Sequence, residues 1–535
     1  MPQANDDYQT KLVSALLDPR RYPHAAKHVR LAETHISWVL LAGRYAYKIK
    51  KSIDLGFLDF TSLAARRHYC EEEIRLNRRL APQIYLDVIP IGGTPKKPKF
   101  GALPAIEYAV RMRRFAASKE LDRLAVRDRI LPEHMDSLAA TIAHFHEGLP
   151  AAEAASAFGS ATAIHSVVLQ SLDRLQASLM SSADEASLRA LRHSMETEYG
   201  NCRDRFEQRR RGGFVRECHG DLHLGNIALI GGCPVPFDGI EFSRELRWID
   251  VMSEVAFTVM NLLHYDRPKL AYRFLNGYLE TTGDYGGVPL LHFYIAYRAA
   301  VRAMVSAIRT GQGKLSRHAR TEAFASCQSF IALAAECLGR RQPALIITHG
   351  LPGSGKTLFA GMALERLQAI RIRSDVERKR LFGLAPLADS RSHAGDIYSA
   401  EATQRTYARL HELGREMLAA GVRVVVDAAF LRRDEREDFR KLAHELGVPF
   451  AIVSLHACTA TLRERITRRQ SESNDASEAD LLVLEALQEK QEALSPRERD
   501  CTIEFVNEGE GFAADARAWG KLDQLLCAHT DKTVI

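Results

Sequence analysis

The sequence predicts two domains of different class in tandem. An α+β domain, a small sheet lobe joined to a helical lobe, is expected over residues 1–341, and an α/β domain with a parallel sheet over residues 342–535. Three observations carry this expectation. At 535 residues the chain exceeds one ordinary hydrophobic core and suits two or three domains. The stretch HGDLHLGNI, His219 to Ile227, spaces a histidine, an aspartate and an asparagine within a mostly helical region. The stretch GLPGSGKT, Gly350 to Thr357, follows an apolar strand and opens a helix, after which strands and helices alternate.

The elements follow in chain order. SWVLLAG and RYAYKIKK are β-rich runs joined through Gly43. In ARRHYCEEEIRLNRRLAP, Ile74, Leu76 and Leu80 stand near helical spacing before Pro82 stops the run. From about Leu121 to Phe214 the pattern is helical, with MDSLAATIAHFHEGL as its clearest amphipathic stretch, and helices resume after the HGD stretch to about Leu338. The polar segment GRRQPA marks a boundary near Arg341. Beyond it ALIITHG, IRIRS, VRVVVDA and FAIVSLHA read as strands of a parallel sheet covered on both faces, and there is no internal repeat.

Composition narrows the class. With 46% apolar and 26% charged residues the chain is of globular type, and a formal charge of +6 is too small to argue for nucleic acid. Nine cysteines without a CxxC pair give neither a disulfide framework nor a zinc pattern, so a reducing compartment is expected. The start of the chain lacks a basic segment followed by an apolar core, and no run approaches the ~18 apolar residues of a membrane span. A cytoplasmic protein without a membrane partner is expected.

Phosphoryl transfer to a hydroxyl needs an acceptor-orienting carboxylate, magnesium ligands and a cation on the ATP phosphates. The first domain offers each. Asp221 would take the acceptor proton, Asn226 five residues on would bind magnesium, and Asp238 in PVPFDGIEF would bind the metal bridging the phosphates. Lys48 lies on a strand with Tyr47 and Ile49 facing the other way, and Glu73 lies beside the buried stripe of its helix, a suitable partner for that lysine. Through HGDLHLGN and FDGIEF the chain resembles the aminoglycoside phosphotransferase family from roughly Leu31 to Leu263. The resemblance implies a protein-kinase-like fold with ATP between the lobes. Where that fold carries a glycine-rich loop this chain reads AETHISWV, so Thr34, His35 and Ser37 would have to supply the phosphate donors. His219 is expected to brace the backbone, and His144 and His146, two apart on a helix, are not expected to form a metal site. The acidic residues Glu241, Glu245, Asp250 and Glu254 could hold a polycationic sugar, but acidic residues on helices usually face water, and that is expected of them.

GLPGSGKT satisfies GxxxxGK[ST] in strand-loop-helix context. Gly350, Gly353, Ser354 and Gly355 would curl the backbone around phosphate oxygens, Lys356 would reach the β and γ phosphates, and Thr357 would bind magnesium. Asp375 and Arg378 stand at the carboxyl edge of the next strand, the side on which such sheets bind ligands. A carboxylate there can activate a hydroxyl, and the resemblance of this stretch to P-loop kinases implies that Asp375 is the acceptor-side base and Arg378 the substrate contact, although an aspartate there also suits a helix N-cap. Asp427 ends a buried strand at a metal or substrate position. Arg465, Arg468 and Arg469 in LRERITRR could close over the phosphate, continued by QSESNDASEAD, or form a solvated helix face. Tyr398 and Tyr407 are expected to pack the following helix. From about Ala344 to Leu494 the chain resembles the P-loop kinases that include zeta toxins and the kinase domain of polynucleotide kinase.

The two resemblances together imply a two-domain enzyme of ATP and Mg2+ that moves the γ-phosphate to hydroxyl groups of small molecules. Regulation of one kinase by the other domain, and a polynucleotide 5′-hydroxyl kinase in the second, are the alternatives. Nucleic acid is not favoured, because no basic tract interleaved with aromatics occurs. The acceptors and the oligomeric state are left open.

Overall fold

The computed structural model describes residues 3–56, 58–179, 182–311, 316–339, 341–390, 396–472, 476–508 and 515–527. The chain divides into two compact units, one of Met1–Arg174 with Arg203–Tyr265, the other of Leu175–Cys202 with Asp266–Ile535. The expected division near Arg341 marks the start of the second sheet, but the helices between Asp266 and Gly339 group with that sheet and not with the first unit.

In the first unit a six-stranded antiparallel sheet runs in the order β1-β2-β3-β6-β4-β5. Its strands are β1 (Val29–Glu33), β2 (Ser37–Ala42), β3 (Tyr45–Lys50), β4 (Tyr85–Thr94), β5 (Lys97–Phe100) and β6 (Ala105–Arg113). Alternation along β3 buries Tyr47 and Ile49 in an apolar cluster with Trp38 and Leu40. Lys48 and Lys50 therefore share the opposite face, toward the helix Leu63–Asn77, which Ser62 caps by accepting from the Ala65 N–H at 3.0 Å. That helix buries Cys70, Glu73, Ile74 and Leu76.

The helical part of this unit is centred on Val251–His264, buried along most of its length. Two short ladders hold the loops against it. β7 (Val215–Glu217) pairs antiparallel with β10 (Trp248–Asp250), and β8 (Ile227–Ile230) forms a hairpin with β9 (Cys233–Pro236). The HGD loop runs between β7 and β8, and the FDGIEF segment leaves β9, so the hairpin fixes both loops at one end.

The second unit holds a five-stranded parallel sheet in the order β12-β13-β11-β14-β15. These strands are β11 (Ala344–His349), β12 (Ala369–Arg373), β13 (Arg423–Asp427), β14 (Phe450–His456) and β15 (Thr502–Val506). Beneath the sheet Phe359, Phe505 and Trp519 form an aromatic core, with Phe359 and Trp519 stacked at 5.1 Å between centroids. β12 is an edge strand, covered by the helix Pro268–Thr282. Asn276 of that helix donates to the Ala369 carbonyl at 2.9 Å and accepts from the Arg371 N–H at 2.7 Å. Among the described residues no helix is long and apolar enough to cross a membrane.

Candidate functional site

In the first unit the chemistry-bearing residues meet between sheet and helices. Lys48 Nζ lies 2.9 Å from Glu73 Oε1 and 2.6 Å from Asp238 Oδ1, so strand lysine, helix glutamate and FDG aspartate come together as the sequence predicts. Asp238 has φ 62°, a left-handed conformation that lifts its side chain from β9 into the cleft, where it is 44% exposed. The second half of this network has no signal in the sequence. Lys50 Nζ, fully buried, bonds Glu73 Oε2 at 2.8 Å and also Glu241. Burial opposes charge on Glu73, but the two ammonium groups outweigh it and hold its carboxyl down to about 2. Burial likewise opposes charge on Lys48, and Asp238 and Glu73 reverse the balance, keeping it well above the usual lysine value. At Glu241 burial wins, and its carboxyl is pushed up.

The HGD loop is built by bonds from below. His219 Nε2 donates to the Phe237 carbonyl at 2.9 Å, bracing one loop against the other. Glu254 Oε1 accepts from the Gly220 N–H at 2.7 Å, and its second oxygen lies 2.7 Å from His146 Nε2. Thr258 and Asn261 of the same helix bond the Leu222 carbonyl and the Leu224 N–H. Glu241, Asp250 and Glu254 are therefore buried structural acids, contrary to the expectation that they face water, because each has a cation or an N–H beneath the surface; Glu245 is exposed. His146, Cys218 and Glu254 bring possible ligand atoms within 4.8 Å of one another, but both Glu254 oxygens are already engaged by His146 and Gly220.

Asn226 donates from Nδ2 to Asp221 Oδ2 at 2.9 Å and to the Asp221 carbonyl at 3.0 Å. Its amide oxygen is thereby left for another partner, and the Phe237 N–H donates to the Asn226 backbone carbonyl at 2.8 Å, which brings the neighbouring Asp238 close along the chain. Asn226 and Asp238 thus fit magnesium by donor chemistry. Ser37 begins β2 behind the turn at Thr34, where its hydroxyl is buried without a hydrogen-bond partner.

In the second unit the glycine loop joins β11 to the helix Lys356–Leu367. Gly355 has φ 101°, and a Cβ there would strike the Asn507 side chain, so both the loop conformation and the close approach require glycine. Lys356 Nζ donates to the Gly350 and Leu351 carbonyls, each at 2.9 Å, which curls the lysine back over its own loop. From outside, Asn507 Nδ2 bonds the Ser354 carbonyl at 2.9 Å, and Arg465 bonds the Gly353 carbonyl at 3.2 Å and the Asn507 carbonyl at 3.1 Å. Asn507 follows β15, far along the chain from the loop, and no local motif announces it.

Lys356, Thr357, Asp375, Arg378, Asp427 and Arg469 line one cleft of about 2340 Å³. Asp427 is 5% exposed, and its Oδ2 has no hydrogen-bond donor. A buried, undonated carboxylate oxygen beside Thr357 suits a magnesium ion or its water. Burial pushes the Asp427 carboxyl up, with Arg373, Arg371 and Lys356 opposing it. Asp375 sits in the first turn of Ser374–Leu381 while Arg373 occupies the cap position, so Asp375 is not the N-cap. Arg378 bonds the Ile397 carbonyl at 3.0 Å and Thr403 Oγ1 at 3.1 Å, with its guanidinium over the Tyr398 ring. Tyr398 is 43% exposed and Tyr407 is half-buried; both line the cleft, and the Tyr407 hydroxyl accepts from the Phe430 N–H. Arg465 reaches the phosphate loop through its backbone, and Arg469 bonds the Ala479 carbonyl at 2.9 Å. Residues 473–475 of the expected lid continuation lie outside the described residues.

An α+β region of sheet and helices followed by an α/β domain with a glycine phosphate loop is the class that fold and site geometry define. Residues 345–494 match the family AAA_33, described as an AAA domain. Over 482 residues the chain is 29% identical to uncharacterized proteins of Mycobacterium tuberculosis and Mycobacterium bovis, an alignment covering 88% of this chain and 93% of theirs. Solved structures similar in part include a gluconokinase from Sinorhizobium meliloti 1021, at 23% identity over 36% of this chain and 100% of that one, with a TM-score of 0.27. An amicoumacin kinase in complex with AMP-PNP, Ca2+ and Ami is 13% identical over 62% of this chain and 95% of its own, with a TM-score of 0.39. A choline/ethanolamine kinase family protein from Mesorhizobium loti is 11% identical over 62% and 98%, with a TM-score of 0.35.

Proposed function

We propose that the chain is a phosphotransferase with two separate sites, each using ATP and Mg2+ to phosphorylate a hydroxyl group of a small molecule. One observation carries the reading: each unit has its own phosphate cation, its own metal-side carboxylate and its own acceptor-side carboxylate. In the first these are Lys48, Asp238 with Asn226, and Asp221. In the second they are Lys356, Asp427 with Thr357, and Asp375.

The chemistry is the same at both. Asp221 or Asp375 orients the acceptor hydroxyl and takes its proton as the new O–P bond forms, while the bond from the γ-phosphorus to the β,γ-bridging oxygen breaks and ADP leaves. Magnesium, when bound, neutralises charge on the phosphate oxygens. Lys48, kept charged by Glu73, holds the α and β phosphates. Lys356 exchanges the loop carbonyls for the β and γ phosphates, and the Gly353 and Ser354 carbonyls stay tied down from behind. The acceptor is a small molecule in this reading, with nucleic acid not favoured, and the setting is cytoplasmic.

Two single variants test it with labelled ATP and a metabolite extract. Asp221→Ala is expected to remove transfer at the first site by ~10²-fold or more while leaving ATP binding and P-loop turnover in place. Lys356→Ala is expected to do the converse. If either variant abolishes all transfer and phosphate release, the independent-site reading fails and a gated machine replaces it. If both retain full transfer, neither site is catalytic.

A further inference from the structure

The helix Pro268–Thr282 does more than cover the edge of the second sheet. Near its end Glu280 accepts from Arg373 Nη1 on Oε1 at 2.8 Å and from Arg371 Nη2 on Oε2 at 2.6 Å. Both arginines stand on β12, two residues apart and hence on one face. All three side chains are mostly buried. Arg373 also pairs in register with Asp427 on the neighbouring strand, and its Nε lies 3.8 Å from Asp427 Oδ2. That is the oxygen without a hydrogen-bond donor, at the position suited to the metal.

Arg373 therefore stands between two carboxylates, within hydrogen-bond distance of Glu280 and just beyond it from Asp427. A guanidinium prefers a bidentate grip on one carboxylate, and a single shift of its plane would close the 3.8 Å gap. We infer that Glu280 is a positioning residue for the P-loop site: by holding Arg373 it keeps Asp427 open to the magnesium ion. This rests on the reading of Asp427 as a metal-side group. Without the Glu280 charge the guanidinium is free to shift toward Asp427, 3.8 Å away on the neighbouring strand, and the arginine then occupies the oxygen the metal needs. A purely structural Glu280 would affect stability but leave the metal affinity of the folded protein alone.

Mn2+ serves as the probe, with the free ion measured by electron paramagnetic resonance in the presence of ADP. The full-length chain carries Asp238→Asn to disable the metal position of the first unit. Adding Glu280→Gln, which preserves shape, is expected to weaken Mn2+ binding by about 10-fold to 100-fold, the usual cost of losing a partner behind a metal ligand. Adding Arg373→Gln to that variant is expected to restore affinity, because the competing cation is gone. Equal affinity in the parent and in Glu280→Gln overturns the inference, as does failure of the second substitution to restore it. Should Glu280→Gln not fold, Arg373→Gln alone decides: binding at least as tight as the parent supports the competition, and weaker binding overturns it. If the parent shows no ADP-dependent Mn2+ binding that Asp427→Asn removes, the reading of the P-loop site itself fails, which is a different result.

Discussion

Two lysines and two glutamates below the first site do unequal work. Glu73 is bonded by both ammonium groups, so replacing it with Gln removes the acid that Lys48 and Lys50 share, leaving Asp238 to the first and Glu241 to the second. A loss of about 3–5 kcal/mol is expected, the range for removing one partner of a buried pair. Glu241→Gln should cost less, since burial already disfavours its charged form. Urea denaturation of the two variants checks the order, and equal midpoints would contradict it. Lys48 and Glu73 were legible because strand alternation and helical spacing each point one side chain inward. Lys50 and Glu241 were not, because a sequence shows which face a lysine takes but not which acid a distant loop will bring to it. The same holds for Glu254, whose value lies in a loop N–H 34 residues before it.

The phosphate loop shows the same division at the level of elements. Strand, glycines and helix are contiguous, so local pattern sufficed to locate them. Their clamp is not: Asn507 lies 153 residues beyond the Ser354 carbonyl it bonds. Asn507→Ala strips the Nδ2 donor from that buried carbonyl, a group worth about 1–3 kcal/mol when left unsatisfied, and takes from Arg465 the Oδ1 acceptor at 3.3 Å. Nucleotide affinity of the second site should fall roughly tenfold or more, at 1.4 kcal/mol per factor of ten. Titration of ADP into the full chain carrying Asp238→Asn reads the change, and unchanged affinity would show that the loop holds itself. Another joint of this unit responds to acid. Burial raises the Glu498 carboxyl, but bonds from buried Arg436 and from Ser495 bring it from 4.5 down to about 2. A lowered value stabilises the fold above the unfolded pKa, so this contribution is present above about pH 4.5 and is lost as pH falls toward 2. Glu498→Gln should flatten thermal stability against pH across that window, and a profile parallel to the parent's would refute the assignment.

At the scale of the whole molecule an α+β region and a P-loop α/β domain follow one another along the chain, and both classes were legible in the sequence. What it does not announce is that the helices between Asp266 and Gly339 group with the second sheet. The polar GRRQPA segment looks like a linker because composition changes there, yet the helix Pro268–Thr282 joins the second unit through contacts such as those of Asn276 and Glu280, which a pattern reading leaves on a helix surface. A chain starting at Arg341 should accordingly be less stable than one starting at Asp266, and differential scanning calorimetry of the two compares them. Equal melting temperatures would mean that the helix Pro268–Thr282 merely rests on the sheet. The Asn276 amide offers β12 one donor and one acceptor, as a peptide group of a neighbouring strand would, so the edge of the sheet meets a counterfeit sixth strand. An edge satisfied in this way offers no template to another copy of the chain. Asn276→Leu, matched in size but without the amide, would leave that edge open to strand pairing between molecules, and the first visible symptom would be turbidity on warming and not lost activity.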